Sequence, residues 1–186
     1  EYENGSWSED ARLTGIFTSL KPATENLDNA VKKEEAISDL EAKDEARDKI
    51  IQDLYYVIMG YLRNPVAAIS AAAETLNTAF SKYGVKIVKD SYSNESGFIS
   101  SMLKDFASND LQSAIAALGG VSQLITDLTA AESDFVNARL TYEREAAEDK
   151  NKESATKLKK VVVEIINGKL VRYLSGMSSV DDETYG

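Results

Sequence analysis

Between residues 121 and 142 the apolar positions fall at alternating steps of three and four without a miss: Val121, Leu124, Leu128, Ala131, Phe135, Ala138 and Tyr142. Such a series lines one face of a helix and scatters over both faces of a strand, so it commits the chain to packed helices. The same rhythm appears near the start, in Leu13, Ile16, Leu20, Ala23, Leu27 and Ala30. Strand-like alternation is confined to Val85-Lys86-Ile87-Val88, too short to support a sheet.

The punctuation divides the chain into helical segments. The first is expected from about Ser8 to Ile37, with a kink or break near Leu20-Lys21, because Pro22 lacks an amide hydrogen and clashes with the preceding turn. Ser38-Asp39-Leu40-Glu41 has capping-box form and predicts a second helix from Ser38 to Arg63, with Ile50, Ile51, Leu54, Val57, Ile58, Tyr61 and Leu62 as its stripe. Asn64-Pro65 predicts the start of an alanine-rich third helix reaching about Tyr83, with Gly84 as its terminator. After a connector over 85–93, helices are expected from about Asn94 to Ala107 and Asp110 to Leu118, stopped by Gly119-Gly120. Two long helices follow, over about 121–149 and from about Asn151 to Leu174.

A helix of about 25 residues is about 37 Å long. The expected fold is therefore all-α: an elongated antiparallel bundle of about six to seven helices. A faint echo at an offset of 112 residues, Ile51, Leu54, Ile58, Tyr61 and Leu62 against Val163, Ile166, Leu170, Tyr173 and Leu174, suggests two related helical halves. A single domain is expected over 1–176, with a mobile acidic tail over 177–186 that contains Asp181-Asp182-Glu183.

Composition narrows the chemistry. The 186 residues include no cysteine and no histidine, which excludes disulfide frameworks, thiol nucleophiles, imidazole triads and the usual zinc and di-iron sites. The net charge of -10 repels phosphate backbones and anionic lipid, so no nucleic-acid partner is expected. No apolar run reaches the roughly 18 residues of a membrane span. The chain opens on Glu1 and not Met, which fits a removed leader, a removed tag or a fragment. The compartment stays open, with the cytoplasm favoured.

Charge is also patterned locally. Residues 150–172 carry seven basic and two acidic side chains, net +5, whereas 132–149 carry six acidic and two basic, net -4. Mutual attraction of two antiparallel helices with solvated outer faces accounts for this, and an anion or RNA site on the last helix is the sharper alternative, weakened by the acidic neighbour. An all-carboxylate magnesium or calcium site remains open in principle. Glu145-Ala146-Ala147-Glu148-Asp149, the densest acidic run, lacks the glycine and alternating ligands of a calcium loop and reads as a solvated helix end. Ser101-Met102-Leu103-Lys104 lacks the companion motifs of a serine–lysine enzyme, and no glycine-rich phosphate loop is present. No cofactor is expected.

The nine tyrosines are the more informative group. Tyr55, Tyr56 and Tyr61 cluster on the second helix, and a ring with a polar tip suits both a helix seam and a partner groove. Arg63 stands beside the Asn64-Pro65 break, where it either caps its own helix or meets an anion. Small alanines beside Tyr83 and Arg63 either permit close packing or leave a pocket. Tyr55, Tyr56, Tyr61, Arg63 and Tyr83 are thus the candidate interaction or pocket residues, and no catalytic or metal residue stands out.

Three segments carry a resemblance: Arg63-Asn64-Pro65, then Phe80-Ser81-Lys82-Tyr83-Gly84, then Phe135-Val136-Asn137-Ala138-Arg139 with Tyr142-Glu143. Together they resemble a family of uncharacterised all-helical proteins common in Bacteroidetes, over about residues 24–175. The resemblance implies a helical fold and a bacterial source and transfers no site. The function expected is a non-enzymatic structural or protein-interaction bundle, its partner an unknown protein or a second copy. The alternative is a small-molecule binder or enzyme with an inter-helix pocket using Tyr, Arg, Lys and carboxylates.

Overall fold

A computed structural model describes residues 10–149, 153–181 and 185. The fold is all-α, and no strand occurs among the described residues. The helices are α1 (Ala11–Tyr61), α2 (Ala67–Phe80), α3 (Tyr92–Phe106), α4 (Asn109–Ala117), α5 (Val121–Glu148), α6 (Ala155–Val163) and α7 (Arg172–Ser178). A 3-10 turn, Val85–Lys89, stands where strand-like alternation occurs. A π-helical stretch, Glu164–Val171, joins α6 to α7 with helical backbone at both junctions.

The first two expected helices are one. Pro22 lies inside α1 without ending it. Pro22 and Thr18 are both exposed, so water can take the carbonyl that the missing amide leaves unpaired. Thr24 Oγ1 donates to the Leu20 and Lys21 carbonyls at 3.1 and 2.8 Å. Ser38 starts nothing, because Ala30, Ala36 and Leu40 carry the buried stripe straight past it. A capping box ends a run of coil, and here no coil precedes it. The actual cap of α1 is Asp10, whose Oδ1 accepts from the amides of Arg12 and Leu13, both at 2.9 Å. The expected starts at Ser8 and Asn151 lie outside the described residues. The last helix begins after Ser154, whose Oγ accepts from Lys157 N at 3.4 Å, and runs through Gly176 to Ser178.

Elsewhere the boundaries hold to within a few residues. Asn64 Oδ1 accepts from Val66 N at 2.9 Å, and α2 starts one residue later. Gly84 adopts φ 70° as its amide closes onto the Phe80 carbonyl at 2.9 Å. Gly120, at φ 83°, turns the chain from α4 into α5. Both positions sit in the left-handed region that a side chain disfavours.

The chain forms two compact units. The central unit is Ser38–Leu140, and the terminal unit pairs Glu1–Ile37 with Thr141–Gly186. The central core gathers Ile51, Leu54 and Ile58 of α1, Leu76 and Phe80 of α2, Ile99, Met102 and Phe106 of α3, and Val121 and Leu128 of α5. Each such side chain contributes about 1.5–3 kcal/mol when fully buried. The terminal unit has a smaller cluster, Ala30, Ala155 and Leu158 with Leu27 against it. Among the described residues no single helix is long and apolar enough to cross a membrane. Taken together α4 and α5 reach that length, but they are bent by 117°, and Leu111, Ile115, Val121 and Leu128 are in the core.

Candidate functional site

The central unit buries a charge. Arg47 lies four residues before Ile51 on the apolar stripe of α1 and is wholly buried. Its Nε and Nη2 donate to Asp44 Oδ1 at 3.1 and 2.8 Å, and Nη2 also donates to Glu95 Oε2 at 2.8 Å. Nη1 donates to Glu132 Oε2 and Ser96 Oγ, both at 2.9 Å. All five guanidinium N–H groups are therefore engaged. The guanidinium carbon lies 3.5 Å from the centre of the Phe135 ring, a cation–π contact. The network ties α1 to α3 and α5.

Arg47 does not balance what surrounds it. Asp44, Asp48, Glu95 and Glu132 are four carboxyl groups around one cation. Glu95 is 1% exposed, and burial, then the adjoining Asp48 carboxyl, push its own carboxyl up to about 8. Burial pushes Asp48 upward as well. Glu95 Oε1 and Asp48 Oδ1 are buried and have no donor to pair with. A single proton shared between these carboxyls satisfies both.

The tyrosine candidates separate into two places. Tyr55 stacks edge-on with Tyr56 at 5.3 Å and lies 6.3 Å from Phe80. Tyr55, Phe80, Tyr83 and Val85 line a groove of about 330 Å³, and Tyr56 beside it is 68% exposed. The Tyr83 hydroxyl donates to Asp105 Oδ2 at 3.0 Å, as does Lys82 Nζ. Burial and the neighbouring Asp105 raise the Tyr83 hydroxyl. Tyr61 is not part of this groove: its hydroxyl donates to the Gly119 carbonyl at 3.0 Å and braces the α4–α5 turn. Arg63 is exposed just past the end of α1, in a turn closed by its own amide on the Gly60 carbonyl at 3.2 Å.

The terminal unit has its own polar ties. Asp10 Oδ2 accepts from the hydroxyls of Tyr173 and Tyr185 at 2.5 and 2.7 Å. These bonds and the capping amides hold its carboxyl down at about 2. Glu34 Oε1 accepts from the Ala155 amide at 2.9 Å, which places a negative charge at the start of α6. The acidic run at the end of α5 is not wholly solvated: Asp149 is 6% exposed and pairs with Lys33 at 2.9 Å. A hollow of about 400 Å³ against the π-helical stretch is lined by Arg12, Lys169, Arg172 and Tyr173 over Ile16 and Met177.

Sequence reasoning missed the Arg47 cluster. The signal was present as a charge on the apolar stripe of three helices at once: Arg47 before Ile51, Glu95 before Ile99, and Glu132 before Phe135. A lone stripe charge reads as a boundary, whereas opposite charges on three stripes read as a buried pairing.

Fold and cluster together define an all-helical protein with a buried arginine–carboxylate centre. The chain belongs to a family of unknown function, DUF6261, whose profile matches residues 37–185. The match starts later and ends later than the resemblance over about 24–175 suggested. No curated protein and no solved structure matches the chain.

Proposed function

We propose that the chain is a non-catalytic helical interaction module whose contact surface is the tyrosine face of the central unit. The observation that carries this reading is Tyr56, 68% exposed beside Tyr55 at the edge of a groove walled by Phe80 and Tyr83. Tyrosine gives large contact area at low entropic cost and is favoured at the centre of interfaces. The partner is another protein or a second copy of the chain. Photo-crosslinking from benzoylphenylalanine at position 56 of the full chain tests this, with the exposed Glu74 as control position. A discrete adduct from position 56 and none from 74 is expected. Equal labelling, or none, removes the tyrosine face from consideration.

A second reading rests on the hollow beside the π-helical stretch. Arg12, Lys169 and Arg172 offer three cations over an apolar floor, which suits a small molecule with a carboxylate or phosphate and a hydrocarbon body. A thermal-shift panel of such compounds tests it: stabilisation should appear in the parent chain and vanish in Arg172→Gln.

A further inference from the structure

We propose that Asp44, Asp48 and Glu95 form a calcium-binding site inside the central unit. Each offers a carboxylate oxygen, and the three oxygens lie within 4.8 Å of one another. An acidic group on a surface would mean little, but this one is built in. Glu95 is 1% exposed, and Glu95 Oε1 and Asp48 Oδ1 are both buried without a donor. Arg47 has no N–H left to give them, because Asp44, Glu95, Glu132 and Ser96 already take all five. Four carboxyls against one guanidinium leave a deficit of positive charge beside the buried Glu95, with Asp44 and Asp48 at the half-buried edge of the cluster. A proton fills that deficit partially, and a divalent cation fills it more completely.

The donor set selects the ion. Three hard oxygens with no nitrogen or sulfur disfavour zinc, copper and iron and suit calcium or magnesium. Magnesium demands a near-ideal octahedron at about 2.0–2.1 Å, whereas calcium accepts irregular oxygen sets at about 2.3–2.6 Å. Calcium therefore needs the smaller adjustment of α1 against α3. Three side chains leave positions for a bidentate carboxylate or water, and Arg47 opposes the ion. Binding is accordingly expected in the range of roughly 10⁻⁵ to 10⁻³ M.

Calorimetric titration of the chelator-treated full chain with calcium tests the site. Terbium luminescence excited through Tyr92 locates it, since Tyr92 lies near the cluster: burial first, and then the charges of Asp44 and Asp48 among others, raise its hydroxyl. Saturable binding is expected, weakened at least about tenfold in Glu95→Gln and in Asp48→Asn. Both variants remove excess negative charge, so the helical circular dichroism should be retained. Tyr92→Phe should lose terbium emission and keep calcium binding. Absence of saturable uptake below about 10 mM, beyond the weakest protein sites, overturns the proposal. So does parent-like binding by the two carboxamide variants. In either case the shared proton alone occupies the gap.

Discussion

The two units hold themselves together by different means. The central unit packs large side chains, with Ile51, Leu54, Ile58, Leu76, Ile99 and Met102 fully buried around it. It adds one saturated guanidinium among carboxyls. The terminal unit buries fewer large side chains, Leu13, Ile16, Leu158, Val162 and Ile165, with Ala30 and Ala155 among the rest, and adds single polar ties: Asp10 to two tyrosines, Lys33 to Asp149, Glu34 to the Ala155 amide. Large interdigitated side chains resist opening, whereas small clusters under polar ties open at lower cost. The comparison predicts that the terminal unit opens at lower cost than the central one.

The strongest way to break this contrast is at Arg47. Arg47→Met leaves Glu95 and Glu132 without a cation, and a loss of about 3–5 kcal/mol is expected in urea unfolding of the central unit. A loss below about 1 kcal/mol would show that the centre is not what anchors it. Next come paired truncations. Leu54→Ala in the large core should cost about 3–4 kcal/mol, and Leu27→Ala, half-buried in the small one, about 1 kcal/mol. Hydrogen exchange resolves the two units separately, and equal costs would erase the distinction.

Titration should then pull the units in opposite directions. The folded state holds Glu95 at about 8 against an ordinary 4.5, so between these values it binds more protons than the unfolded chain. Its stabilising contribution is complete below 4.5 and lost as pH rises through about 8. The groups facing it are Asp44, Arg47 and Asp48 from α1 and Glu132 from α5. Unfolding of the metal-free central unit, followed from pH 5 to 9, should show this decline, and Glu95→Gln should flatten it. Asp10 behaves in reverse: held at about 2 against an ordinary 3.8, it supports the terminal unit above 3.8 and fails it as pH falls through about 2. The smallest effect is expected from Tyr173→Phe, which removes one of the two hydroxyls on Asp10 and should move the acid-induced opening to higher pH.

Much of the fold was legible because the stripes that make helices also make the core. Ile99, Met102 and Phe106 are both the periodic residues of α3 and its buried face. The continuity of α1 was not legible, since Pro22 and the Ser38 capping form are local signals and the burial that overrides them is tertiary. The π-helical spacing was hidden for the same reason, as 163–174 keeps an ordinary apolar rhythm. Of the tyrosines, spacing placed Tyr55 and Tyr56 together, and only folding brought Tyr83 to them and sent Tyr61 to Gly119. Arg47, Glu95 and Glu132 come from helices far apart in sequence, so no local window contains their pairing.

The wide turns between Glu164 and Val171 also fix a phase. Retightening them to ordinary pitch with the same number of residues would swing everything downstream by about 100°. The ring that now meets Asp10 would face elsewhere, so the pitch of that stretch matters even where its side chains do not.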